Sequence, residues 1–517
     1  MAPLSNRDSM VSLSELIDGV LALNPVAPVI EFEGAWYNWG ALAKTVAAVR
    51  ASLREAGASE DTRVGVLMRN RPGPFAATIA TVVDGQCLVS VNPLFPDDKL
   101  RHDLADLHLP IIIGEARDLE RPAVAASARR NDSVLIEVSS TLEGAELRRR
   151  AEGRVIGPSD QGVGVILELL TSGTTGAPKR VPLQRSSFES SFIGALGYER
   201  SRKPGDPPTL RPGTTSILSN PITHIGGLWG ALSSVAAGRR MCLLERFTVE
   251  AWRCAVVRHR PKVAAAVPAS LRMILDADIP REDLSSLVAL RTGTAPLDPA
   301  IIEQFWEHYH IPVLQNYGAT EFSGSVAGWT LRDFHAHHND KYGSVGRFQA
   351  GVRGRIVDPG TGDELPAGEP GLLEMRAAQF GNGDAWLRTT DRAIIDKEGF
   401  LFILGRADNA IVRGGFKVHP DEVVAAIEKH PAVREAVVVG LPDPRLGEVP
   451  AAAVILKAGA TRPENGELVA FLKRGLLPYQ VPTRFLYVAD VPRTPSMKPA
   501  LPQVRALFDR EMLQGAA

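Results

Sequence analysis

The sequence predicts an α/β protein with a large N-terminal domain of parallel α/β sheets, a β-rich subdomain and a small α+β C-terminal domain. Three observations support this class. Apolar runs of strand length alternate with amphipathic stretches from Arg63 onward, turn-rich hairpin patterns follow Tyr342, and a separate set of strands and helices follows a Gly-rich segment near residue 410. A chain of 517 residues is long enough for two to four domains.

The region after Arg63 is typical of a parallel sheet. RVGVLM, CLVSVNPLF and PIIIGE are apolar runs, whereas PFAATIATVV and DDKLRHDLADL between them have helical character. Strand, helix and strand in this order predict crossover helices on a parallel sheet. Within the second helix, Leu100, Leu104 and Leu107 share one stripe at helical spacing, which predicts packing against that sheet.

The character of the sequence changes after Tyr342. VRGRIVDPGTGDELP and GLLEMRA alternate apolar and polar residues around turn residues, which predicts antiparallel hairpins. GRADNAIVRGGF then has the composition of a hinge-like linker. Beyond it, the order helix PDEVVAAIEKH, strand EAVVVG, strand AAAVIL, helix GELVAFLKRGLL and strand RFLYVAD predicts a separate α+β domain.

Composition excludes several classes of function. Lys plus Arg number 58 against 59 Asp plus Glu, so there is no basic footprint for nucleic acid. The three cysteines, Cys87, Cys242 and Cys254, lack metal-binding spacing and are expected to be buried in a reducing cytoplasm. No run of ~18 apolar residues and no secretory leader occurs, so we expect a cytoplasmic protein without a membrane span.

The segment LTSGTTGAPKRV at 170–181 is the most informative one, because it follows the strand-like VGVILEL. Glycines allow backbone N–H groups to approach phosphate oxygens, hydroxyls donate to them, and a lysine offsets their charge. The spacing differs from that of a Walker loop. Taken alone, the segment fits a polar surface loop equally well.

Five further motifs accompany this loop in a fixed order. They are GTAPL at 293–297, NYGATE at 316–321, WLRTTD at 386–391, GRADNAIVRGGFKVHPDEV at 405–423 and PRTPSMK at 492–498. Together the six motifs resemble those of the adenylate-forming superfamily, in its branch of acyl-CoA synthetases and AMP-dependent ligases. The resemblance runs from about residue 10 to 510. It implies that MgATP activates a carboxylate to an acyl-adenylate, commonly with later capture by a thiol, and that the small domain is a mobile lid. The implied domains are 1–404, a hinge at 405–409 and a lid at 410–517.

The resemblance assigns ATP, Mg²⁺ and CoA to this chain, and ATP to residues of all six motifs. The ATP-binding residues it implies are Thr171, Ser172, Gly173, Thr174, Thr175, Gly176, Lys179, Gly293, Thr294, Ala295, Pro296, Asn316, Tyr317, Gly318, Thr320, Asp391, Arg406 and Lys498. The loop would cradle the β- and γ-phosphates, while Glu321, near Thr174 or Thr320, would bind Mg²⁺, which prefers hard oxygen ligands. The 293–296 strip and the Tyr317 ring would flank adenine, although a buried core tyrosine is an equal alternative for Tyr317. Asp391 would accept from the ribose hydroxyls, with Arg406 beside it.

The implied catalytic residues are Lys498, Glu321 and Thr174. A lysine on a lid can bridge the substrate carboxylate and the α-phosphate, and can leave when the lid turns. Met497 stands where the family usually has glycine, which raises a question about the loop geometry.

Other family positions complete the assignment. Arg180 also replaces a common glycine, and we expect its side chain to face water, with contact to phosphate as the alternative. Asp408 matches the hinge residue, and Gly414 and Gly415 match positions beside the pantetheine tunnel.

The implied substrate is a small carboxylic acid. SNPITHIGGLWG places His224, Gly226 and Gly227 at the family's acyl pocket, and the segment lacks the Asp that amino-acid-activating relatives carry. A buried core histidine is an alternative for His224. Only 19 residues follow Lys498, so we expect a free-standing ligase that transfers a fatty, aryl or alicyclic acyl group to CoA. Transfer to a separate carrier protein and a catalytically degenerate nucleotide-binding relative are the alternatives. A homodimer is compatible with the resemblance.

Overall fold

The structure is a computed structural model of the chain. It describes residues 12–149, 163–171, 179–196, 206–381, 384–413, 416–443, 445–494 and 497–514. Residues 172–178, which form most of the Ser/Thr/Gly segment at 170–181, therefore lie outside the described residues.

The first part of the chain alternates strands and helices as predicted. Its elements are α1 (Leu13–Leu21), β1 (Pro28–Phe32), β2 (Ala35–Asn38), α2 (Trp39–Glu55), β3 (Arg63–Leu67), α3 (Pro72–Val83), β4 (Cys87–Val91), α4 (Asp97–Asp103), β5 (Ile111–Gly114), α5 (Ala116–Leu119), α6 (Pro122–Asn131), β6 (Val134–Val138), β7 (Ala145–Arg149), β8 (Val165–Thr171), β9 (Lys179–Gln184) and α7 (Arg185–Leu196).

The remainder of the large domain continues in the same way and then becomes β-rich. Its elements are β10 (Arg211–Leu218), α8 (Ile225–Ala236), β11 (Arg239–Leu243), α9 (Val249–His259), β12 (Val263–Ala265), α10 (Pro268–Asp276), α11 (Arg281–Leu284), β13 (Ala289–Thr292), α12 (Pro299–Tyr309), β14 (Val313–Ala319), β15 (Gly324–Gly328), α13 (Leu331–His337), β16 (Arg347–Phe348), β17 (Arg353–Val357), β18 (Gly371–Arg376), β19 (Leu387–Ile395) and β20 (Leu401–Arg406). Short 3-10 turns span Thr320–Phe322, Ala378–Phe380 and Ala407–Asn409.

The last part of the chain forms the small α+β domain. Its elements are β21 (Ile411–Arg413), β22 (Phe416–Val418), α14 (Pro420–Glu428), β23 (Val433–Asp443), β24 (Gly447–Leu456), α15 (Asn465–Leu472), β25 (Arg484–Tyr487) and α16 (Leu501–Gln514).

Five sheets organise the described residues. A seven-stranded sheet has the order β7-β6-β5-β3-β4-β8-β9, and its interior pairs are parallel while both edge pairs are antiparallel. The second sheet is β10-β11-β1-β2, and the third is β12-β13-β14-β15-β16. The antiparallel β17-β18-β19-β20 sheet is the predicted β-rich subdomain, and β22-β21-β24-β23 with β25 belongs to the small domain. The predicted fold class is confirmed.

The core of the large domain lies between the first two sheets. All twelve residues of α3 are buried there, as expected of a helix that is apolar on every side. The helix after β4 is shorter than predicted. It ends at Asp103, before the last two leucines of the predicted apolar stripe. Leu104 and Leu107 nevertheless pack into the core as predicted.

The cysteines differ from expectation at one position. Cys87 and Cys242 are buried, but Cys254 is exposed on α9, where its thiol donates to Glu250 at 3.2 Å. The expectation that all three are buried was wrong, because Cys254 lies on the solvent face of that helix. Cys242 lies beside the buried carboxylate of Glu31, which also accepts from His259 at 2.9 Å and so ties the end of α9 to β1.

Candidate active site

The β8–β9 hairpin carries the predicted phosphate loop. Thr171 ends β8 opposite Lys179, which begins β9, so the loop between them is the hairpin connection. The predicted site residues in that connection lie outside the described residues; they are Ser172, Gly173, Thr174, Thr175 and Gly176. The hairpin forms the edge of the seven-stranded sheet at the carboxyl end of the parallel strand β8, where ligands of α/β folds bind.

The predicted adenine strip follows β13 and lies against β14. A Cβ on Gly293 would come within 2.1 Å of Asn316 Oδ1, so the strip and β14 pack without room for a larger residue at 293. Thr294 has a φ of +72°, a conformation that a β-branched residue rarely adopts. Such an outlier beside a predicted binding surface indicates that the surrounding packing imposes the shape of the strip.

The predicted ribose site is built from strand pairing. Asp391 on β19 lies directly opposite Arg406 on β20, and the Tyr317 hydroxyl donates a hydrogen bond to Asp391 Oδ2. Burial and the neighbouring Asp391 charge raise the pKa of Tyr317 well above its usual range, so the hydroxyl keeps its proton. The structure therefore brings three of the predicted nucleotide residues into one cluster, in which the tyrosine ring is anchored at its far end.

Lys498 reaches this cluster from the small domain. A tight turn supports it: the Lys498 N–H donates to Thr494 Oγ1 at 3.2 Å, and the Thr494 N–H donates to the Lys498 carbonyl at 2.7 Å. Burial lowers the pKa of Lys498, the Glu321 carboxylate opposes that shift, and the Arg406 guanidinium reinforces it. Predicted residues from three distant motifs thus act on one another electrostatically.

The turn that carries Lys498 uses a left-handed residue. Met497 has a φ of +64°, the region that favours glycine. Methionine therefore takes the place of the family's usual glycine, and its backbone is in the left-handed region that glycine readily adopts. The turn is closed by the Met497 N–H, which donates to the Thr494 carbonyl at 2.8 Å.

Polar contacts hold the small domain in this position. Arg392 pairs with Glu422 at 2.7 Å, Arg434 pairs with Asp276 at 3.5 Å, and Arg272 donates to the Arg434 carbonyl. Each contact joins the large domain to the small one. They fix an arrangement in which Lys498 faces Glu321.

The predicted acyl side centres on the first turn of α8. His224 precedes this helix and is half-buried, and its buried Nε2 has no hydrogen-bond partner among the described residues. Burial, reinforced by the Lys498 charge, lowers the pKa of His224 to about 4. Thr223 Oγ1 and Thr292 Oγ1 are also buried without a partner among the described residues. A neutral imidazole near Lys498 and the hydroxyl of the preceding Thr223 therefore retain hydrogen-bonding capacity on the acyl side.

The two predicted pocket glycines differ in their surroundings. A Cβ on Gly227 would come within 2.2 Å of the Pro221 carbonyl oxygen, so backbone packing alone requires glycine there. A Cβ on Gly226 would lie 3.2 Å from Thr294 Cγ2. Gly226 therefore lies where the acyl side and the adenine strip meet.

The oxygen atoms available near Lys498 are of the kind that bind Mg²⁺ in nucleotide-dependent enzymes. Glu321 is an exposed carboxylate that follows Thr320 in a 3-10 turn, close enough to Lys498 to influence its charge. Mg²⁺ is commonly held by one or two protein carboxylates together with substrate phosphates. Glu321 and the Thr320 hydroxyl fit that pattern.

Arg180 corrects one expectation. Instead of facing water, its guanidinium donates two hydrogen bonds to Asp103, at 2.7 and 2.8 Å, and a third to the Ser90 carbonyl at 2.9 Å. The Asp103 side chain is only 7% exposed. Sequence reasoning missed this partner because Asp103 precedes Arg180 by 77 residues and no motif marks it.

The remaining predictions concern the hinge and the tunnel. Asp408 lies in the 3-10 turn Ala407–Asn409, directly after β20. Gly414 and Gly415 lie outside the described residues. A further residue at the hinge was not predicted: Asp421 is mostly buried, accepts from the Arg406 N–H and lies near Asp391.

Comparison with known families decides the relationship. The profile of the AMP-binding enzyme family matches residues 20–383, and that of the AMP-binding enzyme C-terminal domain matches residues 422–498. The chain belongs to the AMP-binding enzyme family. This AMP-binding enzyme is thus a member of the adenylate-forming acid–thiol ligases, and the predicted resemblance is confirmed.

Individual relatives are named for different acceptors of the acyl group. The AMP-binding enzyme is 28% identical to 4-coumarate–CoA ligase-like 5 of Oryza sativa subsp. japonica over 86% of this chain and 81% of that protein. It is also 28% identical to the fatty acid–[acyl-carrier-protein] ligase ScoC of Streptomyces coeruleorubidus, over 94% of each chain. The ATP-bound crystal structure of MatB from Rhodopseudomonas palustris superposes with a TM-score of 0.79 at 24% identity, covering 96% of this chain and 99% of that one, and supports the fold.

None of the helices in the described residues combines the length and the apolar character that crossing a bilayer requires.

Proposed function

We propose that this AMP-binding enzyme is an AMP-forming carboxylate–CoA ligase that acts on a fatty, aryl or alicyclic acid. The observation that carries the proposal is the position of Lys498, a half-buried lysine of the small domain whose charge interacts with Glu321, Arg406 and His224. It therefore acts on residues predicted to bind the nucleotide and on a residue predicted to line the acyl pocket. A cation there would neutralise both the attacking carboxylate and the α-phosphate.

The first half-reaction follows from this arrangement. The substrate carboxylate attacks the α-phosphorus of ATP, the bond to pyrophosphate breaks, and an acyl-adenylate forms. Asp391 and Tyr317 would position the nucleoside, Lys179 and residues 171–176 the outer phosphates, and Lys498 the carboxylate. Glu321 and Thr320, with Thr174, would hold Mg²⁺, which lowers the charge on the phosphates.

The second half-reaction transfers the acyl group to a thiol. The CoA sulfur attacks the acyl carbon and AMP leaves. We propose that residues 410–517 act as a lid that rotates at 405–409 around Asp408, so that Lys498 withdraws and Gly414 and Gly415 approach the pantetheine. The contacts of Arg392, Arg434 and Arg272 with the opposite domain would break in that rotation.

The substrate class rests on the acyl side of the site. The His224 ring is uncharged at neutral pH and half-buried, and the segment around it has no carboxylate to pair with an α-amine. This favours acids without an amino group. CoA is the proposed acceptor because the relatives include a CoA ligase. A carrier protein is the second candidate because a relative of similar length is named for that acceptor.

The test is turnover with MgATP and a panel of fatty, benzoic, cinnamic and alicyclic acids. CoA or a phosphopantetheinylated carrier protein is supplied, and AMP and thioesters are read by mass spectrometry. An acyl-CoA formed in equal amount to AMP supports the proposal. Acylated carrier protein without acyl-CoA favours the second candidate. Absence of AMP with every acid would point to a degenerate nucleotide-binding relative.

A further inference from the structure

Adjacent residues of β9 direct two positively charged side chains to opposite faces of the sheet. Lys179 and Arg180 are consecutive on this edge strand, opposite Thr171 and Leu170 of β8. Side chains of consecutive strand residues point to opposite faces. Arg180 points to the face that carries α4, where its partner Asp103 is found, so Lys179 points to the opposite face.

The Arg180–Asp103 pair is built as a buried anchor. The guanidinium binds both carboxylate oxygens in the bidentate geometry that gives arginine its specificity, and the two side chains are only 15% and 7% exposed. Burial raises the pKa of Asp103, and the Arg180 charge opposes that shift. Removing either partner would leave a buried charge without compensation.

The anchor also reaches the acyl side. Arg180 donates to the Ser90 carbonyl at 2.9 Å, and the Ser90 hydroxyl donates to the Thr223 carbonyl at 3.3 Å. Thr223 directly precedes His224. One guanidinium therefore connects the strand that begins at Lys179 with the segment that carries the acyl-side histidine.

The position of β9 explains why an anchor matters. In the described sheet β9 is the edge strand and pairs with β8 alone. The hairpin connection that precedes it contains residues predicted to bind phosphate. An edge strand is hydrogen-bonded to a neighbour on one side only, so it can shift relative to the sheet. A side-chain anchor directly after Lys179 would limit that shift.

We propose that Arg180, held by Asp103, is a positioning residue that fixes Lys179 at the start of β9 for ATP. This inference rests on the proposed function. Arg180 does not touch the nucleotide; it acts through the backbone of β9. A purely structural role would lower thermal stability without altering the affinity for MgATP.

The test compares Arg180→Gly, which restores the residue usual in the family, with Arg180→Lys and Asp103→Asn. Two quantities are measured on the full chain: the Kd for MgATP by calorimetric titration and the KM for ATP in acid-dependent pyrophosphate exchange. We expect Arg180→Gly and Asp103→Asn each to weaken both by about tenfold, which corresponds to about 1.4 kcal/mol. Their double variant should be little worse than either single one, because both remove one interaction.

The matched control is Arg148→Gly. Arg148 pairs with Glu137 at 2.7 Å on the opposite edge of the same sheet, where its side chain is 51% exposed. We expect this control to leave the affinity for MgATP unchanged. Arg180→Lys keeps the charge but loses the bidentate contact, so it should fall between the wild type and Arg180→Gly, and it serves if the glycine variant does not fold.

The outcomes separate this inference from the proposed function. If the wild type binds MgATP but exchanges pyrophosphate with no acid, the proposed function fails, and the change in Kd still tests the anchor. If the wild type is active while the variants lose only thermal stability, the anchor is merely structural and the inference is overturned. Additive effects in the double variant would overturn it as well.

Discussion

The two halves of the candidate site differ in how completely their polar groups are paired. On the nucleotide half, Tyr317 donates to Asp391, which lies opposite Arg406 on the neighbouring strand. On the acyl half, His224 Nε2 and Thr223 Oγ1 are buried without partners among the described residues. Buried polar groups are normally paired. The difference supports the proposal that the nucleotide half is organised in advance and that the acyl half is completed by its substrate.

Lys498 belongs to neither half alone, and its removal should have the largest effect. Lys498→Ala removes the charge that bridges carboxylate and α-phosphate, so acid-dependent pyrophosphate exchange should fall by roughly 10²- to 10³-fold. The Kd for MgATP should change much less, because the nucleotide half remains paired. Lys473→Ala, an exposed lysine of the same domain, is the control. Equal loss in both variants would contradict the assignment.

Two residues of the nucleotide half should differ in how strongly they affect ATP binding. Asp391→Asn keeps the shape but loses the carboxylate, so the KM for ATP should rise by about tenfold, consistent with the loss of charge-assisted hydrogen bonds. Tyr317→Phe should raise it by less than about threefold, because the ring stays and a competing donor to Asp391 disappears. Steady-state kinetics with ATP as the varied substrate decides the order. A larger effect of Tyr317→Phe would show that the hydroxyl itself is required.

The acyl half should respond to the acid and not to ATP. His224→Ala removes the unpartnered nitrogen, so the KM for the preferred acid should rise several-fold, within the ~1–3 kcal/mol of a buried hydrogen bond to substrate, while the KM for ATP stays unchanged. Thr223→Val removes the second unpartnered group, so it should likewise raise the KM for the acid and leave the KM for ATP unchanged. Equal changes in both KM values would remove the distinction between the halves.

The pH dependence follows from two lowered pKa values. His224, with a pKa of about 4, is neutral throughout the physiological range, so its protonation should produce no acidic limb between about pH 6 and 8. Lys498 must be protonated to act, and burial lowers its pKa from the usual 10.5. The adenylation rate should therefore fall as pH rises through that lowered value, in an alkaline limb that Lys498→Arg shifts upward. A pH profile of pyrophosphate exchange checks both statements.

The smallest effect is expected at Met497. Met497→Gly relieves a left-handed conformation, which costs about 1 kcal/mol for a residue with a side chain, so thermal stability should rise slightly. The exchange rate should stay within about threefold, since the backbone class of the turn is already that of glycine. Circular dichroism melting and exchange measurements check these outcomes. A large loss of activity would mean that the methionine side chain contributes to the site.

The residues that meet in the predicted nucleotide half were identifiable from the sequence, whereas the environment of His224 was not. Tyr317, Asp391, Arg406 and Lys498 belong to motifs in which residue type and order reflect the demands of ATP chemistry. Strand pairing then brings the first three together. His224 was identified as a position only. Its neutrality depends on burial and on Lys498, which lies 274 residues away and acts through tertiary structure.

Two other residues have surroundings that the local sequence pattern did not predict. Arg180 was expected to face water because its neighbours in sequence gave it no partner, yet α4 brings Asp103 to it across the sheet. Cys254 was expected to be buried because cysteines usually are, yet it lies on the exposed face of α9. Both outcomes depend on which face of an element meets another element, and that is determined by packing between distant segments.

The central claim is that ATP is cleaved between its α- and β-phosphates by attack of a carboxylate. The most direct measurement is the nucleotide product formed by the wild-type chain with MgATP, with and without the acid panel. The account predicts AMP and pyrophosphate in an acid-dependent reaction, together with exchange of labelled pyrophosphate into ATP before any thiol is added. Release of ADP and phosphate, or formation of AMP at the same rate without acid, would contradict it.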